Sequence, residues 1–514
     1  MSSKIRHARQ NLFSSVFSKV VGLFLPFALR SVMISTIGVE YLGLTGLFQS
    51  VFSFLNLTEL GLSSAIVYLL YKPVATGDVE SVCSLLRFLR SFYKVVGTVI
   101  LCVGLLLIPF LPHLIRGQAP DDIRLTVVYL ILLCDTVAGY FFFAYMEVLF
   151  TASQRVDLLN YVGLGVRILT TVLQIIVLLC YQNFYLYCLV IPALTILRSL
   201  VIAWLSRREY PEYVCRGTLS SSQKSTLRRL TAGLMIGQVS GRFTYDLDNI
   251  VISAFLGLTL LGKYQNYALI SLQLTSFVAL FASSLLPGIG NAMAMESRQT
   301  NYQEMNVYQL LYMWMNGWIT VCLICMYQPF IQLWLGKEML LPDSLLPVFG
   351  LYYISAKMND VCFQYRTAAG LWWEERYRAI FAGLFNLVMD LVLVKMIGIA
   401  GVMLGTILYQ FLFDSFWGDA ILFKNCFPEY NRSDYMRRRV LYVSVTVLAC
   451  AVCWYVCKAF PSVDGRNGRA VFMLLLRGLI CTVAANGILW TAYHRLPEYR
   501  PAVSLVRRLL RRRA

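Results

Sequence analysis

Apolar stretches of roughly 20 residues recur almost from end to end of this chain, each long enough to cross the hydrocarbon core of a bilayer as a helix. They fall near 11–36, 41–70, 94–112, 124–151, 157–180, 184–206 and 230–256, then 262–290, 308–334, 345–366, 376–396, 398–423, 438–459 and 470–493. A water-soluble chain of 514 residues would divide into domains joined by polar linkers, and would not be 58% hydrophobic with only 14% of its residues charged. The expected fold is an all-α integral membrane protein with about 14 transmembrane helices.

The net charge of +18 is informative through its placement. Cations gather in alternate connections: Lys4, Arg6 and Arg9, then Lys72 with Arg87 and Arg90, Arg155, the 207–229 connection, Arg298, Arg376 with Arg378, Arg437 to Arg439, and the carboxyl tail. The opposite set is short and holds mainly Arg116, Arg124, Lys263, Lys337 and a Lys458, Arg466, Arg469 group. Positive loops stay on the cytoplasmic side, so both termini are expected there. No motif of nucleic-acid recognition accompanies the charges, and no nucleic-acid partner is expected. The segment 79–93 and the tail "SLVRRLLRRRA" have the pattern of basic amphipathic helices lying on anionic membrane lipids, although the tail fits a solvated end as well. Residues 1–10 are too polar for a signal peptide, so the first span is expected to remain in the mature chain.

The 14 cysteines lie mostly inside apolar runs, as small buried residues and not as a disulfide framework. Cys450, Cys453 and Cys457 fall near one helical face, but no His or polar loop joins them; they are expected to pack, and no metal site is expected.

An internal repeat is legible. "RSVMISTIGVEYLG" from Arg30 matches "DNIVISAFLGLTLLG" from Asp248, aligning Gly38 with Gly257 and Leu42-Gly43 with Leu261-Gly262, and Thr151-Ala152 matches Thr367-Ala368. The displacement stays between 216 and 219 residues, which suggests duplicated halves. An even number of spans gives both halves one orientation, so two six-helix lobes are expected, related by a pseudo-two-fold along the membrane normal, with two extra C-terminal helices. The expected domains are residues 1–206, a basic linker 207–229, residues 230–423, two added helices in 424–494, and a basic tail 495–514.

Ionisable groups at bilayer depth cost at least about 2.5–3.5 kcal/mol against lipid and turn toward protein or water. Lys19 and Arg30 are eleven residues apart, which at about 100° and 1.5 Å per residue places them on nearly one face, roughly 16 Å apart in depth. The same spacing fits two cations reaching opposite interfaces. Pro26 cannot donate to Gly22, so a hinge is expected at Gly22 and Pro26. Arg242 lies mid-span with Asp246 one turn on, and Asp248 follows. Glu59, Asp135, Glu147 and Asp390 are further embedded carboxylates, open to ion coupling or to simple helix pairing.

The segments "NLTELGLSSAIVYLLYKPVATGD", "DNIVISAFLG" and "FNLVMDLVLVKMIGIAGVMLGTIL" resemble the corresponding stretches of Wzx-type lipid-linked oligosaccharide flippases. These are bacterial polysaccharide transporters of the MOP exporter superfamily, which also contains multidrug extruders and the lipid II flippase. The resemblance implies a non-enzymatic, alternating-access flippase of the bacterial cytoplasmic membrane that moves an undecaprenyl-diphosphate-linked oligosaccharide to the outer leaflet. It implies diphosphate binding by Arg242, Arg30 and Lys19. Ion coupling or gating is expected of Asp246, Asp248, Glu59, Asp135 and Asp390. The resemblance further implies no cofactor beyond a coupling H⁺ or Na⁺, with lipid-linked oligosaccharide, anionic lipids and the polysaccharide polymerase machinery as partners. A lipid II or teichoic-precursor flippase and a multidrug or cation extruder are the rival readings. An enzyme would need a catalytic acid–base set, and the three histidines, His7, His113 and His494, all sit near span ends.

Overall fold

A computed structural model of the chain describes residues 2–56, 62–117, 119–142, 144–219, 227, 246–460 and 468–511. All regular structure among them is helical. In the first half these are α1 (Ser2–Thr36), α2 (Val39–Leu55), α3 (Leu62–Thr76), α4 (Val79–Leu107), α5 (Leu125–Phe141), α6 (Glu147–Ala152), α7 (Val156–Cys180), α8 (Phe184–Glu209) and a helix over 246–256, α9. Then come α10 (Leu258–Met295), α11 (Arg298–Leu335), α12 (Leu346–Lys357), α13 (Asp360–Ala368), α14 (Arg376–Ile397), α15 (Ile399–Tyr409), α16 (Asp419–Cys426), α17 (Arg432–Lys458), α18 (Gly468–Tyr493) and α19 (Tyr499–Arg511). A π-helical turn, 410–418, joins α15 to α16. Among the described residues nine helices are long and apolar enough to cross a membrane. Other expected spans fall on the divided pairs α2/α3, α5/α6 and α12/α13 and on α10, while most of 230–256 lies outside the described residues.

The segment 79–93 is not a separate surface helix. Asp78 caps it by accepting from the Ser81 amide at 3.1 Å, and nothing breaks the chain at Tyr93, so it forms the first half of the 29-residue α4 with Val82, Leu86 and Leu89 buried.

Two compact units divide the chain, Met1–Gly262 and Lys263–Ala514. In the first, α1 lies along α7, α7 and α5 pack on α8, and α4 packs on α5. In the second, α11 is the spine against which α12, α17, α18 and α19 pack. Leu310 and Met313 of α11 meet Ile354, Tyr442, Leu489 and Tyr493 in an apolar cluster that also takes in Ala502 of α19.

The repeat is written into the backbone. Of ten positive-φ residues among those described, eight form four pairs in register: Gly38 with Gly257 and Gly117 with Gly336 at a displacement of 219, Gln154 with Gly370 and Gln182 with Gly398 at 216. Caps follow the same register, since Ser297 accepts from the Thr300 amide as Asp78 does from Ser81. After the Thr-Ala anchors the turns match bond for bond. Gln154 N–H donates to Thr151 and Arg155 to Phe150, while Gly370 donates to Thr367 and Leu371 to Arg366, all between 2.8 and 3.1 Å.

Equivalent positions also meet within the first unit. A Cβ on Gly43 would run into the Leu258 carbonyl and sit 3.2 Å from the Gly262 nitrogen; one on Gly262 would run into the Val39 carbonyl and sit 3.3 Å from the Gly43 nitrogen. Thr259 donates to Glu40 at 2.9 Å, again 219 residues apart. This reciprocal crossing, possible because neither glycine has a side chain, explains why residues 246–262 belong to the first compact unit.

Candidate functional site

The start of α1 is sewn to α7 by polar groups. Asn160 Nδ2 donates to Ser14 at 3.1 Å and to Ser15 at 3.0 Å, and Ser18 donates to the Asn160 carbonyl at 3.4 Å. Two turns on, Gly22 is buried beneath a side chain of α7: a Cβ there would lie 2.5 Å from Arg167 Nη1. Both contacts advance together along the two helices, so α1 and α7 run parallel. Lys19 is exposed one turn before Gly22 on the same helix. Arg30 follows eight residues after Gly22, about 12 Å further along the helix. It is half-buried and faces the Tyr187 phenol of α8 electrostatically. Lys19, Arg30 and Arg167 thus all belong to one helix pair, spread along its axis. Among the described residues neither Lys19 nor Arg167 joins an ion pair.

α1 is helical without interruption through Pro26, and what the structure shows at Gly22 is room for Arg167. Arg167 is absent from the sequence-derived set, although the criterion that selects Arg30, a cation inside an apolar run, selects it too. Arg242 and Glu59 lie outside the described residues.

The carboxylates are held by neutral polar groups or by cations of their own. Ser53 of α2 donates to Asp246 at 2.5 Å, and Asn249 Nδ2 donates to Ser50 at 2.9 Å, fixing α9 to α2. Asp248 on the same helix is only 1% exposed. Thr195 of α8 donates to Asp135 of α5 at 2.6 Å. Glu147 pairs with Arg198 at 2.9 Å, and Arg155 at the start of α7 pairs with Asp157 at 3.3 Å and Glu209 at 3.5 Å. Asp390 of α14 is fully buried, accepts from Asn386 Nδ2 at 3.2 Å, and presses on Gly405 of α15.

The second unit holds its charges differently. Arg439 of α17 and Asp419 of α16, both 0% exposed, form an ion pair, and Arg439 Nη2 also donates to Asn359 and, at 3.0 Å, to Ser415. The π-turn frees the Gln410 carbonyl, which accepts from Ser415 at 3.3 Å and Asn359 at 3.4 Å. Beside it, Arg366 pairs with Glu375, and Arg378 pairs with Glu375 at 3.1 Å and with Asp414. Three guanidiniums face three carboxylates, so the cluster is self-neutralising. Gln309 of α11 donates to the Met358 carbonyl at 3.2 Å, satisfying the backbone where α12 gives way to α13. Arg378 and Arg439, counted in the sequence as topology charges, are thus buried ion-pair members. Asp414 and Asp419 lie 36 and 20 residues from their arginines, and only Glu375 is a close neighbour in sequence.

The fold is that of the transporters of the MOP superfamily. A multidrug resistance MATE family transporter in an inward-facing conformation superimposes with a TM-score of 0.61 at 15% identity, over 78% of this chain and 94% of that one. The lipid II flippase MurJ in an inward closed conformation superimposes with a TM-score of 0.59 at 14% identity, over 94% of this chain and 99% of that one. A MOP superfamily transporter from Pyrococcus furiosus, described as having a binding pocket of reverse polarity, gives 0.55 at 14% identity over 80% of this chain and 94% of that one. No protein-family model and no curated protein matches the sequence.

Proposed function

We propose that this protein is a flippase for an undecaprenyl-diphosphate-linked oligosaccharide, carrying it from the inner to the outer leaflet for cell-surface polysaccharide export. The observation that carries this reading is the cationic pair of helices α1 and α7, with Arg167 over Gly22, Lys19 one turn before it and Arg30 about two turns beyond. Guanidinium forks match phosphate oxygens in pairs and keep their charge at any working pH. Cations spaced along the helix axis offer a diphosphate successive resting places across the hydrocarbon depth. Arg242, mid-span in the sequence, is a further candidate for the same role.

The lipid tail needs different surroundings. In the second unit an apolar groove of about 290 Å³, lined by Ile324, Gly350, Ile354, Val447, Ala451 and Trp454, suits a stretch of hydrocarbon chain. The likeness to MurJ extends over 94% of this chain and that to the MATE transporter over 78%, which favours a lipid-linked cargo. Moving a net negative charge out of a negative-inside cell gains about 2.3 kcal/mol per charge per 100 mV, so the membrane potential assists export, with H⁺ or Na⁺ coupling through Asp246 or Asp248 resetting the carrier.

The MATE likeness supports a second reading, extrusion of organic cations; three cations on one helix pair disfavour it. Deleting the gene and radiolabelling lipid-linked sugars separates the two. Accumulation of the labelled lipid in the cytoplasmic leaflet, reversed by the wild-type gene and not by Arg242→Ala or Arg30→Ala, is expected. Normal glycan export with new sensitivity to cationic dyes would favour the extruder.

A further inference from the structure

We propose that Cys325, Cys457 and Cys481 form a three-thiolate binding site for a soft monovalent metal ion, copper(I). The three residues come from α11, α17 and α18, and their sulfurs all lie within 4.8 Å of one another. Cys457 Sγ and Cys481 Sγ are 3.4 Å apart. Three sulfurs around a central ion at a metal–sulfur distance of about 2.3 Å stand roughly 4 Å from each other, so small side-chain adjustments close the triangle. All three are buried, at 3%, 6% and 0% exposure.

The donor set selects the ion. No His, Asp or Glu joins the group among the described residues. Zinc in a closed site takes four ligands, whereas copper(I) prefers soft sulfur and is content with three. Met326, next to Cys325, places its thioether sulfur 3.4 Å from where a Cβ on Gly478 would lie, one turn before Cys481, so α11 and α18 pack closely here.

Thiolates at this depth need a compensating positive charge, and Arg477 supplies part of it. Arg477, one turn before Cys481, sends Nη2 to the Phe460 carbonyl at 3.2 Å, and Phe460 follows Cys457 by three residues. A guanidinium thus stands at the edge of the cluster. Binding exchanges three thiol protons for one Cu⁺, leaving a complex of charge −2 that this cation partly offsets, with no change of oxidation state. Packing alone would need one small residue per helix and gives no reason for three sulfurs to converge.

Full-length protein in detergent, reduced and kept anaerobic, can be titrated with Cu(I) against a chromogenic Cu(I) chelator. One ion per chain is expected, with affinity at least about tenfold lower in Cys325→Ser, Cys457→Ser and Cys481→Ser and unchanged in Cys450→Ser. Should a serine variant fail to fold, X-ray absorption of the Cu(I)-loaded wild type decides the matter through a shell of three sulfurs. Absence of stoichiometric Cu(I), equal binding by the serine variants, or a Cys457–Cys481 disulfide in protein purified without reductant would overturn the proposal.

Discussion

Arg439→Met is expected to unfold or severely destabilise the protein, by about 3–5 kcal/mol, because it strands Asp419 in a site that water does not reach. Asp419→Leu alone should cost a comparable amount by stranding the guanidinium. The double variant Arg439→Met/Asp419→Leu is expected to recover most of the loss. Replacing both members of a buried ion pair by apolar groups is often neutral, and what remains is the lost bonding of Asn359 and Ser415, about 1–3 kcal/mol. Thermal midpoints of detergent-solubilised protein should fall in the order wild type, double variant, single variants. A single variant as stable as wild type would show that the pair is hydrated and not a latch.

The second large effect is expected at the reciprocal glycine crossing. Gly43→Val and Gly262→Val each drive a side chain into a backbone carbonyl, of Leu258 and Val39 respectively, and a backbone atom cannot swing aside as a side chain can. Overpacking of this kind costs about 1–3 kcal/mol and more where no neighbour yields. Gly163→Ala is the matched control, since a Cβ there meets nothing within 4 Å. Lower expression and a lower thermal midpoint in both valine variants, with the control at wild type, is the expected pattern. Tolerance of Gly43→Val would mean that α2 and the start of α10 are free to separate.

How much of this was legible in the sequence follows from the range of each interaction. Spans and the repeat were readable because hydrophobic length and positive-φ glycines are local properties; Gly38 and Gly257 announce the same backbone turn twice. The matches at Gln154 with Gly370 and Gln182 with Gly398 were less visible, because one turn is served by different residue types in the two halves. The 79–93 segment departs from its sequence pattern for a related reason. Its polar face resembles that of a surface helix, and the local sign that α4 continues past Tyr93 is merely the lack of a helix breaker there.

At the site, Lys19 and Arg30 were legible as cations inside an apolar run. Their relation to Arg167 was not, because Gly22 makes room for a residue 145 positions away. The cysteines show the same limit. Spacing along α17 groups Cys457 with Cys450 and Cys453, whereas packing groups it with Cys325 and Cys481 from two other helices.

Under the proposed function, cations on α1 and α7 receive a diphosphate headgroup during transbilayer movement. The most direct measurement is leaflet exchange of a fluorescent undecaprenyl-diphosphate oligosaccharide in proteoliposomes, read with a membrane-impermeant quencher. Wild type should speed exchange above protein-free vesicles, and Arg30→Ala/Arg167→Ala should slow it at least about tenfold, since each charge-assisted bond contributes about 1.5–3 kcal/mol. Exchange by the double variant at the wild-type rate, or wild-type exchange no faster than in empty vesicles, would contradict the claim.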